Sequence, residues 1–273
     1  MSKSKNPRKV NINKVSYCTV SISMYLEETK QKLASATAFI YEYGNKYYLI
    51  TNWHNVTGLN PLTREPISIH GGVPNVLVLS LLIKKKPYLS WSNFSIYLYD
   101  NNDESDWLIH PEFGEKVDVV AIELDIGENL NAILTPINKI EFNDFDLEIA
   151  DDIFILGYPY NLDGGGKFPI WKRGSVATEP DLDMDKLPKI FVDTASKRGM
   201  SGAPVIYRRT GIHGAHGRII PKGAIIGTIE GFVGIYSGRI VGKDDFDAQL
   251  GIVWKKQVIE EIIVGNKKDN HKF

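Results

Sequence analysis

Arg198-Gly199-Met200-Ser201-Gly202-Ala203-Pro204-Val205 is the stretch on which the reading of this chain turns. A serine stands between two glycines, and an apolar run, Val205-Ile206-Tyr207, follows. The glycines permit a tight turn and a close approach of main chain to a bound group. Alone, G-x-S-G is a weak pattern, because Gly and Ser are common turn residues. Two upstream stretches give it weight: Leu49-Ile50-Thr51-Asn52-Trp53-His54-Asn55-Val56 and Val117-Asp118-Val119-Val120-Ala121-Ile122-Glu123-Leu124. Each sets one chemically active residue at the border of an apolar, strand-like run. The chain order is histidine, aspartate, serine.

The 273 residues fit one large β-domain or two barrels sharing a core. With 43% hydrophobic and 24% charged residues the composition is that of an ordinary globular chain. The 32 basic and 33 acidic residues leave a formal charge of −1, so electrostatics favours neither nucleic acid nor an anionic membrane as a partner. Cys18 is the single cysteine, which excludes an intramolecular disulfide. It reads as a packed strand residue rather than a reactive thiol. Met1 to Asn13 is polar and basic without an apolar stretch, so no signal peptide is expected, and no run of eighteen apolar residues exists to span a bilayer. A reducing, cytoplasmic compartment is the expectation.

Outward from the three stretches, the pattern is that of strands. Val20, Ile22, Met24 and Leu26 alternate with polar residues. Thr37–Tyr43 and Lys46–Thr51 flank Gly44-Asn45, a two-residue hairpin signal, and the second run delivers His54. Residues 57–75 read as a long loop, and Val76–Ile83, Phe94–Tyr99, Trp107–Pro111 and Val117–Leu124 as strands. Further strands are expected at Ile153–Leu156, Gly174–Thr178, Ile190–Asp193 and Ala224–Ile229, with loops at 161–169 and 207–221. Gly164-Gly165-Gly166 lacks the Lys-Ser/Thr and helix of a phosphate loop. Val258, Ile259, Ile262 and Ile263 fall at helical spacing.

Three blocks resemble the trypsin-like (chymotrypsin-fold) serine peptidases, nearer the HtrA-like bacterial branch than the digestive enzymes. "ATAF…YYLITNWHNV" is similar to the family's G-S-G-F…ILTN-x-H-V block, "VDVVAIEL" to its D-hydrophobic-A-hydrophobic-L block, and "GMSGAPV" to its G-x-S-G-x-P block. The likeness runs from about Ala36 to the end of the chain, and no PDZ module is expected. It implies an all-β fold of two six-stranded antiparallel barrels with a short C-terminal helix. The expected division is a flexible tail over 1–13, an N-terminal barrel over 14–130 with His54 and Asp118, a crossover over 131–150, a C-terminal barrel and helix over 151–265 with Ser201, and a tail over 266–273.

The resemblance casts Ser201 as nucleophile, His54 as general base and then acid, and Asp118 as the group that orients the imidazole. The main-chain N–H groups of Gly199 and Ser201 are the expected oxyanion hole. Ala195, six residues before the serine, takes the floor of the specificity pocket, where trypsins have an acid. Thr228, Ile229 and Glu230 are expected to pair with extended substrate. An apolar residue before the cut is expected, although Glu230 in the pocket would restore a basic preference. Met200 stands where many relatives have an aspartate that pairs with a freshly cut N-terminus, so no activation by trimming is expected.

Rival assignments stand beside these. His110, before Pro111, is a second possible base, and Asp106 and Asp125 compete with Asp118. His213 and His216 suggest a metal pair, but no thiol or carboxylate lies near them in sequence, and no metal or other cofactor is expected. An α/β-hydrolase would need G-x-S-x-G with its histidine last; here Ala203 occupies the second glycine position and the serine is last. The reading is a serine endopeptidase acting on protein or peptide through an acyl-enzyme, controlled by a regulatory protein or ligand acting on the long loops. The alternative is an idle protease fold that binds a peptide or serves as a scaffold.

Overall fold

The computed structural model describes residues 10–68, 71–85, 88–125, 131–143, 145–195, 197–213, 222, 224–239 and 249–273. Asn13 caps a short first helix, α1 (Lys14–Cys18), through a side-chain bond to the Val15 N–H. Strands β1 (Thr19–Leu26), β2 (Gln31–Tyr43) and β3 (Lys46–Thr51) follow as an antiparallel meander. The β2–β3 turn is the expected Gly44-Asn45 pair, with φ of 57° and 64°, values that suit a tight hairpin. After α2 (Trp53–Thr57) come β4 (Val76–Lys85), β5 (Tyr88–Tyr97), β6 (Leu108–Ile109) and β7 (Val120–Glu123). The second half contains β8 (Asp152–Gly157), β9 (Ile170–Val176), β10 (Lys189–Asp193), β11 (Pro204–His213), β12 (Ile225–Arg239) and β13 (Leu250–Lys255), then α3 (Gln257–Gly265) and β14 (Lys267–Lys268).

The fold is all-β with two antiparallel sheets and a short C-terminal helix, as expected. The second sheet is a closed six-stranded barrel in the order β10-β13-β12-β11-β8-β9. The first departs from the expected six-stranded closed ladder. Its hydrogen bonds run as an eight-stranded order, β14-β6-β7-β3-β2-β1-β4-β5, with β14 and β5 at its two ends. Two features cause this. The turn Asp100–Asp106 separates β5 from β6, so the two segments pair with different neighbours. Lys267–Lys268, read from sequence as part of a tail, adds a strand against β6.

From Ala36 to Tyr41 both faces of β2 are buried, and the alternation there shows how the sheets meet. Ala36, Ala38 and Ile40 point into the first sheet with Ile22, Leu49, Leu77 and Leu79. Phe39 and Tyr41 point the other way, into a seam with Ile206, Phe232 and Ile235 of the second barrel and the apolar face of α3. That face is Val258, Ile259, Ile262 and Ile263, the residues marked by helical spacing. Ile153, Ile155, Val205, Ile229 and Val253 fill the barrel itself. No helix among the described residues is long and apolar enough to cross a membrane.

Residues 207–213 are strand, not the loop expected over 207–221; they extend β11 and pair with β12 through His213↔Ile225. His216 lies outside the described residues.

Candidate active site

His54 enters on α2, the single turn that follows β3. Its main-chain N–H donates to Asp118 Oδ1 at 2.9 Å, and its ring Nδ1 lies 2.7 Å from Asp118 Oδ2. Asp118 stands just before β7, which pairs with β3, so neighbouring strands carry the two residues together. The Asn52 side-chain amide donates to the Asp118 carbonyl at 2.7 Å and locks that approach. The Asp118 side chain is 2% exposed and that of His54 13%. The Ser237 hydroxyl also donates to Oδ2. A buried carboxylate requires such partners, and this one has three donors. With Nδ1–H given to the carboxylate, the imidazole presents Nε2 as its acceptor.

Opposite lies the 198–202 loop, whose main-chain groups are tied to several segments. Tyr160 N–H donates to the Arg198 carbonyl at 2.8 Å. The Thr37 hydroxyl donates to the Gly199 carbonyl at 2.8 Å. Ala203 N–H donates to the Met200 carbonyl at 3.0 Å, and Thr37 N–H to the Ser201 carbonyl at 2.9 Å. Of the amides, Met200 N–H goes to Lys197 O and Gly202 N–H to Tyr236 O. The N–H groups of Gly199 and Ser201 have no acceptor among the described residues. Because a trans peptide points its N–H away from its own C=O, tying back the Arg198 and Met200 carbonyls turns these two amides to the other side. Glycine is required twice here. Gly199 has φ 95°, and a Cβ would meet the Tyr158 carbonyl; Gly202 has φ 82°, and a Cβ would meet the Thr37 carbonyl.

Asn55, next to His54, joins the two halves: its amide donates to Thr51 Oγ1 at 3.0 Å and reaches the Ser201 carbonyl at 3.4 Å. On the other flank, Tyr236 takes the Gly202 amide while the adjacent Ser237 holds Asp118. His54 and Asp118 are thus bonded to each other, and the Ser201 main chain is tied to Asn55, the residue after His54. The Ser201 hydroxyl and His54 Nε2 have no hydrogen-bond partner among the described residues.

The rival residues are occupied elsewhere. His110 uses both ring nitrogens, Nε2 with Glu261 at 2.9 Å and Nδ1 as acceptor for the Glu112 and Phe113 amides. Asp106 pairs with Lys268, and Asp125 is exposed. His213 bonds the Gly227 carbonyl, and no cluster of metal-binding side chains occurs among the described residues.

The expected substrate-binding residues are not brought to this site. Thr228, Ile229 and Glu230 pair with Thr210, Arg209 and Arg208. Glu230 is tied to Asn143 and Arg208, and Thr228 bonds Thr210. The reason is the length of the hairpin: β11 and β12 stay paired out to His213 and Ile225, so the site end of β12 is its C-terminal part, Tyr236 to Arg239. Ala195 follows β10, where its carbonyl takes the Lys172 ammonium; among the described residues no hydrogen bond links it to Ser201 or His54. Met200 is buried against Gly157, as its apolar side chain requires. Sequence reading missed Thr37, Asn55, Tyr160 and Ser237. Thr37 and Asn55 lie inside the very blocks that carry the resemblance, and Ser237 interrupts an apolar strand between Tyr236 and Gly238.

No family model matches the chain, and no curated protein matches it. Among solved structures it is similar to the Rv3671c protease from M. tuberculosis in its active form, with a TM-score of 0.46 and 14% identity over 93% of this chain and 83% of that one. An inactive form of the same protease gives 0.44 and 16%, over 92% and 89%. An inactive serine-to-alanine mutant gives 0.44 and 14%, over 92% and 86%.

Proposed function

We propose that this protein is a serine endopeptidase. The observation that carries the reading is a carboxylate-held imidazole on a helix tied by Asn55 to a serine loop whose Gly199 and Ser201 amides have no acceptor among the described residues. In this reading Ser201 Oγ attacks the peptide carbonyl and its proton passes to His54 Nε2. Asp118 keeps the ring in one tautomer and stabilises the imidazolium. The two amides receive the oxyanion, a donor pair whose loss costs on the order of 10²–10³ in rate per donor. His54 then returns the proton to the leaving amine, the acyl-enzyme forms, and water repeats the sequence in reverse. The Ser201–His54 bond closes when substrate arrives, as such bonds do in enzymes whose empty form holds them long. Extended substrate lies along Ser237 to Arg239, where β12 has passed the start of β11 and that edge has no strand partner among the described residues. A regulatory partner or ligand acting on the loops 57–75 and 161–169 completes the proposal; vigorous cleavage of casein by the isolated chain would remove this part of it.

One observation favours a second reading. The open Ser201–His54 pair also suits a groove that binds peptide without cutting it. Labelling with a fluorophosphonate probe separates the two. Covalent modification at Ser201, abolished by Ser201→Ala and by His54→Ala, is the expected result; an unlabelled wild-type protein that still binds peptide would establish the idle module.

A further inference from the structure

Resting on the proposed serine chemistry, one residue stands out that has no part in the triad. Thr37 lies on β2, on the face that Phe39 and Tyr41 turn toward the second barrel, and it is fully buried. It makes four hydrogen bonds. Its hydroxyl donates to the Gly199 carbonyl at 2.8 Å and accepts the Tyr158 N–H at 3.2 Å. Its N–H donates to the Ser201 carbonyl at 2.9 Å, and its carbonyl accepts the Thr51 hydroxyl at 2.9 Å. One residue of the first sheet therefore grips the nucleophile loop on both sides of Met200.

We infer that Thr37 is a positioning residue: its hydroxyl holds the Gly199–Met200 peptide so that the Gly199 and Ser201 amides face the reacting carbonyl. Something must do this work. Residue 200 is a buried methionine without charge, so no ion pair at that position can fix the loop. Two consecutive left-handed residues, Tyr160 (φ 52°) and Asn161 (φ 61°), form the turn from which the Tyr160 N–H reaches the Arg198 carbonyl. That bond holds the preceding peptide, and the Thr37 hydroxyl, by also taking the Tyr158 N–H, ties both anchors to β2. A hydroxyl is the smallest group that can accept from one peptide and donate to another at once. Without it the Gly199 carbonyl and the Tyr158 amide lose their buried partner, and the 198–200 peptides can turn over, bringing a carbonyl where the oxyanion needs a donor.

The test compares Thr37→Val, which keeps shape but removes the hydroxyl, with Thr37→Ser, which restores it. Thr37→Ala serves if the valine variant does not fold. In proteins shown to be folded by their thermal transitions, the valine variant is expected to lose about 10- to 100-fold in fluorophosphonate labelling rate and in kcat, with KM within about threefold, and the serine variant to recover most of the rate. A valine variant that labels at the wild-type rate overturns the inference. If wild-type protein itself does not label, the peptidase reading falls, and crystals of Thr37→Val then decide this one. A reversed Arg198–Gly199 or Gly199–Met200 peptide supports it; unchanged peptides overturn it.

Discussion

The Ser237 hydroxyl and the His54 imidazole share one acceptor, Oδ2 of Asp118. The serine comes from the second barrel and the histidine from the first sheet, so the carboxylate is held across the seam. Ser237→Ala leaves Oδ2 to His54 alone and removes one of the three donors that satisfy a buried charge. A loss of about 1.5–3 kcal/mol in stability is expected, the value of a hydrogen bond to a charged group. Urea denaturation of the variant measures it, and a labelling rate lowered about tenfold would accompany it as the Asp118 carboxylate loosens.

The C-terminal segment braces the helix that carries His54. Asp269 Oδ2 accepts from the Trp53 indole at 2.6 Å and from the Trp107 indole at 3.0 Å, and both rings are buried. Asp269→Ala strands two indole N–H groups. A loss of about 1–3 kcal/mol per stranded group is expected, read as a lower urea midpoint. Asp269→Asn, which keeps one oxygen acceptor, should lose less.

His271 lies against the Trp53, Tyr99 and Trp107 rings. Burial holds its imidazole below the ordinary value; Asp269 opposes that shift and Arg64 adds to it. The folded protein therefore resists a proton that the unfolded chain accepts. Stability is expected to fall as pH drops below about 6.5, the unfolded value, and to level off, for this group, below the depressed folded value. Urea midpoints of wild type and His271→Phe between pH 8 and pH 5 test this: the difference between them should change with pH in the direction that favours the phenylalanine at low pH.

Cys18 is fully buried at the end of α1, and burial pushes its thiol up to about 12. At pH 8 only about one thiol in 10⁴ is then ionised, and the thiolate is the reactive form. A disulfide reagent such as Ellman's should leave the native protein unmodified for hours and titrate one thiol at once in 6 M guanidinium. Rapid native reaction would show that α1 opens.

Much of this was legible locally. The Gly44-Asn45 turn, the alternation in β1 and the helical spacing of α3 are short-range signals, and the structure has each where the chain suggested it. His54, Asp118 and Ser201 stood out as candidates because each borders its own apolar strand. The misplaced groups share a different origin. Thr228, Ile229 and Glu230 were expected, by resemblance, to be the strand beside the substrate, but the β11–β12 pairing runs on well past the point where a loop was expected, moving the site end of β12 to Ser237. The C-terminal residues look polar and tail-like, yet Asp269 and His271 find their partners in Trp53, Trp107 and Tyr99, far away in sequence.

From the order of its residues alone, this chain settles where most of its early strands and its last helix lie, and which imidazole, carboxylate and hydroxyl are candidates for chemistry, because side-chain alternation and turn preference act between near neighbours. Only the packed molecule decides that Thr37 grips the nucleophile loop, that Ser237 rather than Glu230 reaches the site, and that the first sheet runs in an eight-stranded order. Those outcomes depend on strand register and on hydrogen bonds between segments that meet only after both sheets have closed on the common seam.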